Sequence, residues 1–195
     1  MKNIIFDLGG VVFARDRSKC SPEFIEFWSL LRENPMPHFW IEYDRGTLSI
    51  EQVVDELVAY RNATPDVCRQ MLRRAIDLQE ARIPTAALIA DLKAAGYKLY
   101  VLSNMSLEFI QFLRRLPVYS HFDGEVVSCE ELTVKPEPRI YEILLSRYGL
   151  DPCESMFIDD RPENTEAAAA FGIKPFVFDA KSPESSCQEL RSLLL

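Results

Sequence analysis

Apolar positions fall along this chain in two patterns, and the patterns divide it. Short continuous runs at residues 4–6, 99–102, 125–128, 155–158 and 175–178 read as strands buried on both faces. Stretches with helical spacing separate them. Residues 85–95 carry Leu88, Ile89 and Leu92 and stop at Gly96, while residues 107–116 carry Phe109, Ile110, Phe112 and Leu113 and stop at Pro117. Residues 138–148 carry Ile140, Ile143 and Leu144 before Gly149, and residues 162–171 end at Gly172. From residue 85 onward this alternation predicts an α/β fold, a Rossmann-like parallel sheet with helices on both faces.

Residues 14–81 behave differently. Their apolar positions (Phe24, Phe27, Leu31; Val53, Val54, Leu57, Val58; Val67, Met71, Leu72) keep helical spacing, with turn signals at residues 34–37 and 61–65 and no convincing strand. The expectation is a core of residues 1–13 and 82–195 interrupted by an all-helical cap, residues 14–81. An insertion after the first strand sits at the carboxyl end of the sheet, where open α/β folds bind ligands. It is placed to act as a lid.

Composition narrows the partners. The 195 residues suit one domain carrying an insertion, and 48% apolar with 27% charged residues suits a globular chain with a real core. Net charge is −8, from 22 Lys+Arg against 30 Asp+Glu, and no basic run occurs, so nucleic acid is not an expected partner. Five scattered cysteines form no metal-binding or paired spacing, which points to free thiols in a reducing compartment. The apolar N-terminus is interrupted by Asp7 and reads as a buried strand, not a signal peptide. No run approaches the ~18 apolar residues that span a bilayer. The expected setting is the cytoplasm, without membrane contact.

Three strand ends carry polar residues. Asp7 closes the run Ile4-Ile5-Phe6 ahead of Gly9-Gly10. A carboxylate there either caps a turn or is compensated by a metal or a catalytic task. Ser103-Asn104 follows Leu102 and precedes a helix, so it is either an N-cap or an anion site. Asp159-Asp160 ends Met156-Phe157-Ile158, and two adjacent carboxylates suit a hard cation such as Mg²⁺. Lys135 is held between these motifs by Pro136 and Pro138.

Taken in order, the segments Phe6-Asp7-Leu8-Gly9-Gly10-Val11, Leu102-Ser103-Asn104, Lys135-Pro136-Glu137-Pro138-Arg139-Ile140-Tyr141 and Phe157-Ile158-Asp159-Asp160-Arg161-Pro162-Glu163-Asn164 resemble the four motifs of the haloacid dehalogenase superfamily. The resemblance covers essentially the whole chain. It looks closest to the branch of the bacterial glucose-1-phosphate phosphatase and the N-terminal phosphatase domain of soluble epoxide hydrolase, whose helical cap follows the first motif. It implies an Mg²⁺-dependent phosphatase acting on a small phosphorylated metabolite, such as a sugar phosphate, through an aspartyl-phosphate on Asp7. It further implies Mg²⁺ on Asp7, Asp160 and the Gly9 carbonyl with Asp159 nearby. Phosphate oxygens would lie on Ser103 and the Asn104 N–H, and Lys135 would balance charge.

One position departs from that pattern. Phosphatases of the superfamily usually carry a second Asp, the general acid/base, where this chain has Gly9. Such a group is worth ~10²–10⁴-fold. Its loss leaves open a slow phosphatase, a 2-haloacid dehalogenase, or a silent fold used for binding or regulation. The Asp159-Asp160 pair favours the phosphatase. A positive-φ backbone at Gly9 would bar Asp from that position. In the cap, His38, Phe39, Trp40, Tyr43, Asp44 and Arg45 form the most site-like cluster, although aromatic residues at this spacing more often pack a core.

Overall fold

The computed structural model describes residues 1–33 and 35–195. Asn3–Phe6 form β1, buried along its whole length, and Phe13–Arg15 form the short β2. Four helices follow: α1 (Pro22–Phe27), α2 (His38–Arg45), α3 (Ile50–Arg61) and α4 (Pro65–Asp77). Their starts are written in the sequence. Ser21, Ser49 and Thr64 cap α1, α3 and α4 through their hydroxyls, and Gly46 and Asn62 end α2 and α3 in left-handed conformations. The chain returns through β3 (Gln79–Ala81), then alternates: α5 (Ile83–Ala94), β4 (Lys98–Ser103), α6 (Leu107–Leu113), β5 (Gly124–Val127) and a single turn, α7 (Ser128–Glu131). It closes with α8 (Pro138–Tyr148), β6 (Ser155–Asp159), α9 (Pro162–Ala169), β7 (Lys174–Val177) and α10 (Pro183–Leu194).

Five strands form one parallel sheet in the order β5-β4-β1-β6-β7. β1 is central, and Ile4 lies beside Leu99 of β4 and Met156 of β6. On one face Phe6, Val101 and Ile158 pack on Leu88, Ile89 and Leu92 of α5 and on Leu190 of α10. On the other, Ile5, Leu102 and Phe157 pack on Ile140, Tyr141 and Leu144 of α8. Each such side chain contributes roughly 1.5–3 kcal/mol on burial, so the sheet holds its strand ends firmly. The chain order places β4 and β6 on opposite sides of β1, which opens a crevice at the carboxyl ends of these three strands.

The helices of residues 14–81 build an apolar cluster of their own that includes Phe24, Trp28, Trp40, Tyr43, Leu57 and Leu72; Phe109 of α6 joins it from the sheet side. Two expectations need correction here. Strand pairing does occur at the ends of this segment, because β2 and β3 pair antiparallel with Phe13 opposite Ala81. Each is three residues long, too short to carry a period of two. Helix ends also differ, since α6 stops at Leu113 and residues Pro117–His121 continue as a 3₁₀ turn. The turn expected at residues 34–37 includes Asn34, which lies outside the described residues.

Candidate active site

Asp7 leaves β1 at its carboxyl end and is almost wholly buried. Its Oδ1 accepts hydrogen bonds from the Ser103 hydroxyl at 2.8 Å and from Lys135 Nζ at 2.8 Å. Lys135 Nζ also donates to Asp159 Oδ2 at 2.6 Å and to the Leu102 carbonyl at 2.9 Å. The ammonium thus has three acceptors and is almost wholly buried. Burial works against its charge, but Asp159 and Asp7 more than offset this and hold its pKa above the ordinary lysine value. For Asp7 burial prevails, and its carboxyl lies above the usual range despite Lys135 and Ser103.

The segment bearing Lys135 is fixed through its backbone. Asn104 Nδ2 donates to the Lys135 carbonyl at 2.9 Å, and the Lys135 N–H donates to Asn104 Oδ1 at 2.7 Å. The Asn104 side chain is therefore committed to positioning Lys135. Asp159, fully buried, is satisfied by Lys135, by the Arg161 N–H at 2.8 Å and by Asn164 Nδ2 at 3.1 Å to each oxygen. Asp160 instead faces the crevice. Its carboxyl is pushed up to about 7, first by burial and then by the charges of Asp7 and Asp159.

Asp7, Asp159 and Asp160 each offer a carboxylate oxygen, and these three atoms lie within 4.8 Å of one another. One lysine cannot neutralise three carboxylates. The donor set, all hard oxygen with one member held partly protonated, suits a small divalent cation. Gly10, not Gly9, needs a glycine here. Gly10 has φ +82°, and a Cβ there would lie 2.6 Å from Asp160 Oδ2. Gly9 has no positive φ, and its Cβ would meet only Met105 Cε at 3.8 Å. An Asp is sterically admissible at Gly9.

A cavity of about 750 Å³ opens over this cluster and is lined by Asp7, Gly9, Asn104, Lys135 and Asp160. Ser103 and Asp159 do not line it; both are fully buried behind Asp7 and Lys135. From the sequence-picked cluster of α2, Trp40, Asp44 and Arg45 face the cavity. His38 is exposed, Phe39 packs on Tyr60, and Tyr43 is buried with its hydroxyl donating to Glu108 at 2.7 Å.

The end of α2 is pinned to α7 and to the segment just before α8. The Ser128 hydroxyl donates to the Asp44 carbonyl, and Arg45 grips Glu137 with two bonds of 2.9 and 2.8 Å. Gly46, at φ +86°, passes so close to the Cys129 backbone that a Cβ would collide with it. Burial, then the charge of Asp7, raises the Asp44 carboxyl to about 7, against the opposing pull of Arg161, the Ser106 N–H and Lys135. The sequence assigns no role to Asn164 or Arg161, although both stand in the fourth motif, nor to Arg15 or Arg82. For Asn164 the signal was available, five residues after Asp159 on the next helix. Arg15 and Arg82 carried none, because most arginines are solvated.

A parallel sheet whose central strand ends in a carboxylate, bridged by a buried lysine to a second acidic strand end, defines a class of hydrolases. The chain belongs to the haloacid dehalogenase-like hydrolase family, whose model matches residues 1–172. Acyl-CoA dehydrogenase family member 10 of Mus musculus is 30% identical over 162 residues, 80% of this chain but 15% of that protein. A sesquiterpene phosphatase of Aspergillus oryzae is 24% identical over 194 residues, 99% of this chain and 96% of that one. The (S)-2-haloacid dehalogenase 4A of Burkholderia cepacia is 31% identical over 89 residues, 45% of this chain and 38% of that one. Among solved structures, a HAD family enzyme of Bacteroides thetaiotaomicron, in complex with magnesium and inorganic phosphate, matches with a TM-score of 0.73 at 22% identity. The match covers 92% of this chain and 95% of that one, and it shows the fold. Among the described residues no helix is long and apolar enough to cross a membrane, and all five cysteines are free.

Proposed function

We propose that this chain is an Mg²⁺-dependent phosphatase of small phosphorylated metabolites. Residues 14–81 would form the cap that selects the substrate, over a catalytic core of residues 1–13 and 82–195. The observation that carries the reading is the acidic triad of Asp7, Asp159 and Asp160 around one buried lysine, at the floor of a cavity. The phosphatase and the magnesium–phosphate complex among the similar proteins support it. Asp7, Asp160 and the Gly9 carbonyl would hold the ion, with Asp159 behind them and committed to Lys135. Bound there, Mg²⁺ would supply positive charge against the phosphate oxygens.

Asp7 is the nucleophile in this reading. Oδ1 is occupied by Ser103 and Lys135, while Oδ2 accepts no hydrogen bond among the described residues and is free to attack phosphorus. The P–O ester bond breaks as the Asp–phosphate bond forms, and water later hydrolyses the acyl phosphate. Lys135 works against burial in favour of the ionised Asp7 and offsets charge beside the phosphate; the Asn104 N–H and the Asp7–Lys135 frame position it. Dehalogenase chemistry would give no use to the Asp160 carboxylate poised for a cation. Chloride release from 2-haloacids without Mg²⁺ would favour it.

Chelation is expected to abolish phosphate release, and Mg²⁺ to restore it. In calorimetric titrations Asp160→Ala should weaken Mg²⁺ binding far more than Asp159→Ala, because Asp159 spends its oxygens on Lys135, Arg161 and Asn164. The reverse order would mean the ligands are assigned backwards.

Proton transfer, deprived of the usual carboxylate at Gly9, is assigned to Asp44. It faces the same cavity, and its carboxyl, raised to about 7, is still partly protonated near neutrality. Asp44→Asn is expected to slow alkyl phosphates by about 10²-fold and aryl phosphates, whose leaving oxygen needs little help, by much less. The donor is the acid form, so alkyl-phosphate turnover should decline as pH rises through about 7, and this limb should vanish in Asp44→Asn. Gly9→Asp in the Asp44→Asn background should recover alkyl turnover, given the open space at that Cβ. An alkyl-to-aryl ratio unmoved by both changes would remove Asp44 from the reaction.

A further inference from the structure

The cavity over Asp7 is larger and more apolar than phosphate chemistry requires. Phe24, Trp28, Leu31, Trp40 and Phe109 form one wall. Trp28 and Trp40 meet edge to face with ring centroids 5.3 Å apart, and Trp40 meets Phe109 at 6.4 Å, so the wall is a continuous aromatic row. A volume near 750 Å³ is that of a site enclosing a drug-sized ligand. A polar sugar would leave most of this wall unmatched.

Charge along the same cavity is uneven. The chain carries a net −8, yet seven basic and four acidic side chains line this space. Two of the basic groups are matched, Lys135 by Asp7 and Arg45 by Glu137. Arg82 and Arg161 feel the carboxylates of Asp160 and Asp44. Arg15, Arg17 and Arg32 form no ion pair among the described residues. Arg15 is the most informative, because it is half-buried, leaves the core on β2, and holds its guanidinium 5.9 Å from the ring centres of both Phe24 and Trp28. Burial, and in part the like charge of Arg32, depresses its pKa. A half-buried cation with no carboxylate partner among the described residues is a site that an anion would complete.

Resting on the phosphatase reading, we infer that the substrate is a phosphomonoester of an elongated apolar or aromatic alcohol bearing a second anionic group. Its phosphate lies at Asp7, its body along Trp28, Trp40 and Phe109, and its second anion on Arg15 with Arg32 at the mouth. This substrate matches the aromatic wall and the unpaired arginines together; a neutral sugar phosphate matches neither.

The test uses the full chain with Mg²⁺ and calorimetric binding of non-hydrolysable alkyl phosphonates of increasing length, each paired with its ω-carboxylated counterpart. Affinity should rise with chain length. At the length that reaches Arg15, the carboxylate should tighten binding by about tenfold, as a charge-assisted hydrogen bond does. Arg15→Met should bring that ratio to about one, and Arg15→Lys should keep part of it. Thermal melts establish that each variant is folded, and Arg32→Met supplies a second, exposed position where folding is not at risk. No preference for the carboxylate at any length, or a preference that survives both Met variants, overturns the inference. Hydrolysis of an aryl phosphate is measured in parallel. Turnover without the preference contradicts the substrate class alone, whereas the preference without turnover contradicts the phosphatase reading and leaves the ligand class standing.

Discussion

Asp7→Asn is expected to lower phosphate release by more than about 10³-fold while leaving the protein folded and no less stable. The amide keeps the shape of the side chain and can still accept from Ser103 and Lys135 through one oxygen. It cannot attack phosphorus, and it offers a neutral donor to Mg²⁺ in place of a charge. Stability follows from the sign of the Asp7 shift. Burial raises its carboxyl above the unfolded value, so the native state loses free energy as pH climbs from the unfolded pKa through the folded one. Asn removes that loss. The melting temperature at neutral pH should therefore hold or rise, a trade of stability for function at an active site. Activity above a tenth of wild type would end the assignment of Asp7 as nucleophile.

Lys135→Met should be the most destabilising single change at the site. The side chain is 1% exposed and bridges Asp7 at 2.8 Å and Asp159 at 2.6 Å. Methionine fills much of the same volume but leaves two buried carboxylates facing each other, and breaking a buried ion pair in this way costs about 3–5 kcal/mol. The loss should depend on pH. Lys135 has a raised pKa, so its contribution is complete at every pH below the unfolded lysine value of about 10.4. The carboxylates set the variation instead. Asp7, already raised, takes up a proton as pH falls and relieves the repulsion. Denaturant melts should show a deficit that shrinks as pH falls below neutrality. A deficit that grows instead would contradict repulsion between Asp7 and Asp159 as its source.

Strand ends made this site legible. In a parallel sheet the buried runs 4–6, 99–102 and 155–158 are continuous, so a polar residue closing one stands out; that is how Asp7, Ser103 and Asp159-Asp160 were found. Lys135 stands out because prolines follow it at 136 and 138. What the pattern could not carry was orientation. Nothing in Ser103-Asn104 tells that the hydroxyl turns inward to Asp7 while the amide clasps the Lys135 backbone. Likewise Gly9 and Gly10 read alike, and only the backbone angles separate the one that tolerates a side chain from the one pressed against Asp160. The β2–β3 ribbon was missed because its pairing links residues far apart in sequence, through three-residue strands without a period. Arg15, Arg17, Arg32 and Arg82 are not legible for a different reason: a guanidinium without a carboxylate partner is recognisable only once its surroundings are known.

Rapid quench of the Mg²⁺-loaded protein mixed with a radiolabelled phosphate ester, followed by peptide mapping, tests the central claim most directly. The account requires an acid-stable, base-labile label on the peptide containing Asp7, formed as fast as alcohol is released and absent from Asp7→Asn. Steady phosphate release with no labelled peptide, or a label carried by a residue other than Asp7, would contradict it.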